Sequence, residues 1–233
     1  MNRLIYVEFL LLTSLILAYG VGSFQRNIIW KDEIALWSDT VKKSPEKTRP
    51  HNNLGVALKN KGLLDEAALE LKEALKLNPH HADIYINMGN IYIKRGLIDE
   101  AIDAYKKALE LEPDSLKARI NLAAAYGTEG QFNKAIEELK KTLKAYPDEP
   151  SIHYNLGIAY HSLGQKDLAI LELDKTLNLQ PDNAQALYYL GEIYLYDMND
   201  PLTALSYFEK ILSITTKGEY PKKAERLIHE IKR

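Results

Sequence analysis

Residues 82–115 read ADIYINMGNIYIKRGLIDEAIDAYKKALELEPDS, and the stretch recurs along the chain with a fixed step. Asn53-Leu54-Gly55, Asn87-Met88-Gly89, Asn121-Leu122-Ala123 and Asn155-Leu156-Gly157 start 34 residues apart, and Tyr189-Leu190-Gly191 continues the series. Gly62, Gly96, Gly130 and Gly164 keep the same step, as do Ala67, Ala101, Ala135 and Ala169, and Pro79, Pro113, Pro147 and Pro181. A period of this length marks a repeat architecture. Within each unit, apolar residues at helical spacing (Tyr85, Met88, Ile91, Tyr92) predict a first helix, with Gly89 in the stripe to let a partner approach. The glycine at 96 predicts a left-handed turn after that helix. A second helix is expected from near Asp99, with Ala101, Tyr105, Ala108 and Leu109 inward. Pro113 ends the unit, because the residue before a proline avoids helical geometry.

This pattern resembles the tetratricopeptide repeat over residues 48–217. The resemblance implies an all-α fold, a right-handed superhelix of helix-turn-helix hairpins. The expected repeats are 48–81, 82–115, 116–149, 150–183 and 184–218. One hairpin cannot bury its own apolar face, so stacking neighbours supplies the core. In the last unit the alanine arrives one residue late, as Ala204, which puts a one-residue insertion in Tyr196–Asp200. Thr216 stands where proline is expected, and Pro221 is read as opening a capping helix within 219–233. Counting back one period puts Pro45 on the unit-ending proline and Trp37 on the large inward position of a second helix. Residues 28–47 then form a half-repeat, joined to the first hairpin by a turn from Ser44 to Pro50.

The chain has 233 residues, 30 basic and 32 acidic, so it lacks the basic surface usual for nucleic-acid binding. With no cysteine it has no disulfide, thiolate metal site or cysteine nucleophile. Leu4–Phe24 is 21 residues with Glu8 its only charge. At helical rise it spans roughly 30 Å, and a transmembrane helix is expected there. Glu8 lies near the end of the segment, where a carboxylate avoids the cost of about 3 kcal/mol at the bilayer centre. Ala18-Tyr19-Gly20 also fits signal-peptide cleavage, which would leave a soluble chain starting near Val21. Arg3 on one side and Arg26 and Lys31 on the other leave orientation open. Trp30 suits a membrane interface.

The junction Gln25-Arg26-Asn27-Ile28-Ile29-Trp30, running through Leu36-Trp37 to Pro50-His51-Asn52-Asn53-Leu54-Gly55, resembles that of transmembrane-and-tetratricopeptide proteins, the protein O-mannosyltransferase-like membrane enzymes. There a last membrane helix leads into a repeat domain outside the cytoplasm. The resemblance implies a single-pass membrane protein with its repeats extracytoplasmic, periplasmic or lumenal. The family's multi-span catalytic part has no counterpart here, so no transferase activity follows. A role as accessory subunit or detached tail of a membrane glycosyltransferase is the second expectation.

The leading expectation is a noncatalytic scaffold that binds a protein or peptide ligand in a concave groove. Asn53, Asn87, Asn121 and Asn155 each offer donors and an acceptor. Their column resembles the asparagine ladder of O-GlcNAc transferase's repeat domain, which implies a grip on peptide backbone. The alternative is that they bond neighbouring hairpins. Asn52, Asn90, Lys94, Lys117, Tyr154, His161 and Tyr188 are the other groove candidates. They do not match the carboxylate clamp of chaperone-binding relatives. His80-His81 falls in a turn without further ligands, and His153 and His161 are too far apart on a helix to share a metal. No catalytic residue, metal or cofactor is expected.

Overall fold

The structure is a computed structural model that describes residues 32–232. The segment expected to cross the membrane, with Glu8, Arg26 and Trp30, lies outside them. Among the described residues no helix is long and apolar enough to span a bilayer. They form helices α1 (Glu33–Lys43), α2 (Thr48–Asn60), α3 (Leu64–Leu77), α4 (Ala82–Arg95), α5 (Ile98–Leu111) and α6 (Leu116–Thr128). These are followed by α7 (Phe132–Leu143), α8 (Pro150–Ser162), α9 (Lys166–Leu179), α10 (Ala184–Glu192), α11 (Pro201–Ile214) and α12 (Glu219–Ile231). There is no strand among these residues. The chain divides into two compact units at the Arg95–Gly96 step.

In the first unit, α1 packs on α2, α2 on α3 and α3 on α4. Leu54, Leu58, Leu71, Ile84, Met88 and Ile91 form the buried core, and Trp37 packs against it from α1. Trp37 is half-buried there, at the edge of the core. The turn after α1 is shorter than expected, because α2 already begins at Thr48. Pro50 sits in the first turn of α2, where its missing N–H would have had no intrahelical partner. Pro221 is accommodated in the same way, and the capping helix begins two residues before it, at Glu219.

In the second unit α6–α7, α8–α9 and α10–α11 pair as hairpins, and α12 packs on α11. Close approach explains the inner glycines: a Cβ on Gly157 would stand 2.7 Å from Leu173 Cγ, and one on Gly191 would strike the ring of Phe208. The turn glycines Gly62, Gly96, Gly130 and Gly164 have φ of 82°, 74°, 80° and 72°, a region only glycine enters freely. After Gly62, Gly130 and Gly164 the next residue donates back across the helix end, Leu63 N to Leu58 O at 3.0 Å, Gln131 N to Tyr126 O at 2.8 Å and Gln165 N to Tyr160 O at 2.9 Å. This bond closes the turn through backbone alone.

The last repeat departs from that scheme. The extra residue is absorbed by a π-helical turn, Ile193–Asp197, after α10. Asn199 then takes the place of the turn glycine at φ 52°, and Asp200 caps α11 by accepting from Thr203 N at 3.1 Å. Asparagine is among the few residues that tolerate this conformation.

One joint recurs under different side chains. His51 Nε2 lies 2.9 Å from Pro45 O, Tyr85 donates its hydroxyl to Pro79 O at 3.1 Å, Arg119 donates to Pro113 O, and His153 Nε2 lies 2.8 Å from Pro147 O. Each ties the preceding turn to a first helix. Three also reach a glutamate on the following helix: His51 to Glu70 at 2.7 Å, Arg119 to Glu138 at 3.3 Å and His153 to Glu172 at 2.6 Å. Leu187 holds this position in the fifth repeat and has no donor to offer.

Candidate functional site

The second unit carries a recess of about 390 Å3. One wall is α6, through Ala123, Ala124, Gly127 and Thr128, with Phe132 and Ala135 of α7 beside it. The facing wall is α8, through Tyr154, Asn155, Ile158, Ala159 and Ser162, and Tyr189 of α10 closes one end. None of these side chains is ionisable at neutral pH, because tyrosine titrates near 10 in water. Burial, then the neighbouring Tyr189 and Tyr220, pushes the Tyr154 hydroxyl further up. Burial likewise raises Tyr189. Both therefore stay protonated and able to donate. Their rings meet edge to face, centroids 5.9 Å apart, an arrangement that fixes both planes.

Of the expected groove residues, Tyr154 and Asn155 line this recess. Asn155 donates to Ser151 O at 2.7 Å, one turn back on its own helix. Asn87 is buried at 7% exposure and donates to Asn52 Oδ1 of the preceding repeat at 2.9 Å. Its amide nitrogen therefore binds the neighbouring hairpin. Asn53 Oδ1 accepts a long contact from Asn52 at 3.5 Å, while Asn90 and Asn121 are half-buried. Lys94 and Lys117 are exposed.

Tyr188 is buried, donates to Glu192 Oε1 at 2.7 Å and packs on Phe208 and Tyr220, which places it in the core beneath α12. Lys223 lies over its ring at 5.4 Å. His161 Nε2 contacts Asp197 Oδ2 at 2.7 Å, and Lys166 Nζ reaches Asp197 O at 3.1 Å. The hydrogen bond from His161 and the nearby charges hold the Asp197 carboxyl below its ordinary range. His80 and His81 lie in a turn. No group of three or more metal-ligating side chains occurs among the described residues.

Sequence reasoning missed the α6 wall. Its signal is a column of absent side chains: where Ala124 stands, other repeats carry Val56, Asn90, Ile158 and Glu192. Where Gly127 stands they carry Lys59, Ile93, His161 and Leu195.

These features define a protein of tandem two-helix repeats with a neutral recess between successive first helices. Family models described as tetratricopeptide repeat match residues 49–81, 82–115, 104–137, 150–183 and 185–214, and one described as TPR repeat matches 128–164. The chain belongs to the tetratricopeptide-repeat family. It is similar to the solved structure of TTC0263, a thermophilic TPR protein from Thermus thermophilus, at 25% identity and TM-score 0.69, over 78% of this chain and 99% of that one. A structure of MamA protein matches at 28% identity and TM-score 0.59, over 78% and 96%. A 66-residue segment is 32% identical to the protein O-mannosyl-transferase Tmtc3 of Drosophila melanogaster. That segment is 28% of this chain and only 7% of the fly protein.

Proposed function

We infer that this chain is a membrane-tethered tetratricopeptide scaffold that holds a protein or peptide segment in complex assembly. The observation that carries the reading is the recess between α6 and α8, lined by Phe132, Ile158 and four alanines together with the polar side chains of Thr128, Tyr154, Asn155 and Ser162. Small apolar pockets with a few convergent polar groups are the usual form of a binding site. A photo-crosslinking amino acid placed at the exposed position 124 in membranes tests it. A discrete adduct that disappears in Tyr154→Ala/Asn155→Ala is expected. Adducts indifferent to that pair would remove the recess from the binding surface.

The tether is assigned to Leu4–Phe24 on its length and apolarity. The repeats are placed on the extracytoplasmic side. Because the chain has no cysteine, a single Leu202→Cys at an exposed site reports orientation cleanly. Labelling of intact cells by a membrane-impermeant maleimide is expected, and protection until lysis would place the repeats inside. A mature terminus near Val21 would replace the tether by a cleaved leader.

A second reading, a noncatalytic subunit presenting substrates to a membrane glycosyltransferase, draws on the short match to Tmtc3. Co-purification of a multi-span transferase with the full chain would favour it.

A further inference from the structure

Gly127 is a glycine that the fold does not require. It lies within α6, near its end, its φ is not positive, and a Cβ built on it meets nothing within 4 Å. In this it differs from Gly157, whose Cβ would collide with Leu173, and from Gly130, whose φ is 80°. Glycine is a poor helix former because it leaves the unfolded chain more freedom to lose. What it does here is remove the side chain that His161 and Leu195 provide at the same position of the next two repeats. With Ala124 beside it, the wall of the recess is stripped back to backbone and methyl groups.

Resting on the peptide-binding reading above, we propose that the recess is a specificity subsite. It would take an uncharged apolar anchor of an extended peptide, since about 390 Å3 admits even a large aromatic side chain, with Gly127 as its selectivity determinant. The charge pattern selects this occupant. The twelve lining residues include no Lys, Arg, His, Asp or Glu, so an ionic side chain would lose hydration with no counter-charge to meet it. Phe132, Ile158 and the ring of Tyr154 offer apolar contact to the side chain. Asn155, Thr128 and Ser162 add polar atoms to the lining. The Asn155 amide donates to Ser151 O and the Thr128 hydroxyl to Ala124 O, so their oxygens are what they offer to peptide N–H groups. The lysines expected in the groove, Lys94 and Lys117, are not among the lining residues.

The test is selection of a random linear peptide display library on the full chain in detergent, followed by affinity measurement on the parent and on Gly127→Leu. Circular dichroism confirms that the variant folds, as the open space at Gly127 allows. Enriched peptides are expected to share an aliphatic or aromatic anchor flanked by uncharged residues. They are expected to weaken about tenfold or more in Gly127→Leu, through lost burial of that anchor. The exposed-site control Leu69→Ala should bind like the parent. Peptides that bind Gly127→Leu as well as the parent overturn the subsite and leave the broader groove reading standing. Peptides with an acidic or basic anchor that are lost in Gly127→Leu overturn the apolar assignment. Failure to enrich any peptide overturns the groove reading and the subsite together.

Discussion

Nδ1 of His153 lies 2.6 Å from Oε2 of Glu172, and both side chains are buried, at 5% and 8% exposure. The other ring nitrogen meets the carbonyl of Pro147, so one imidazole ties a turn to two helices. His153→Ala removes both bonds and leaves Glu172 buried with Lys175, 2.9 Å from its other oxygen, as its remaining partner. A buried carboxylate that loses part of its hydrogen bonding destabilises the fold, here by about 2–3 kcal/mol. Chemical denaturation of parent and variant measures it. A loss below about 0.5 kcal/mol would show the joint to be incidental.

Two glycines on neighbouring first helices are expected to respond oppositely to the same change. Gly127→Ala adds a methyl group to open space in a helix and should stabilise by about 0.5–1 kcal/mol. Gly157→Ala forces a Cβ against Leu173 and should destabilise by about 1–3 kcal/mol. Thermal melts of the two variants give the signs directly, and equal shifts would contradict the packing assigned to Gly157.

Much of this was legible in the sequence. The period located the helical spacing, the turn glycines and the inserted residue, because each answers a backbone demand that few residue types can meet. The joint to the proline carbonyl was not legible. His51, Tyr85, Arg119 and His153 share only a donor of suitable reach, and no residue-type pattern displays that. The recess was half legible: Tyr154 and Asn155 were expected, but the α6 wall is defined by what Ala124 and Gly127 lack. At Asn87 the amide nitrogen meets the alternative stated for the column, a bond to the neighbouring hairpin, because Asn52 supplies a partner that a shared repeat position does not reveal.

Asn87→Ala should therefore act on stability more than on binding. Its hydrogen bond to Asn52 joins two repeats within the first unit, and a double-mutant cycle with Asn52→Ala should return a coupling of about 1 kcal/mol. Peptide affinity at the recess in the second unit should be unchanged. Additive single-variant effects would deny the pairing.

The acid side of the stability profile should carry the mark of Asp197. Its folded pKa is held below the usual carboxylate value, first by the hydrogen bond from His161 and further by Lys166. The group therefore favours the folded state at any pH above its unfolded value near 3.9, and that advantage fades as pH falls through the lower folded value. The gap in thermal midpoint between the parent and Asp197→Asn should be full at about pH 6 and close as pH falls past the unfolded carboxylate value near 3.9 and through the lower folded one. A gap independent of pH would mean that Asp197 acts through shape alone.

The varied joints have a consequence for how the array ages under mutation and responds to its surroundings. Position four of a repeat differs among imidazole, phenol and guanidinium while the preceding turn stays pinned, and the glutamate it meets on the following helix changes with it, being Ala104 where Tyr85 stands. The pins are not equivalent in solution, however. Added electrolyte weakens the largely buried Arg119–Glu138 attraction only slightly and leaves the neutral hydroxyl of Tyr85 untouched. At Leu187, where the side chain offers no such bond, cohesion rests on apolar packing that salt does not loosen.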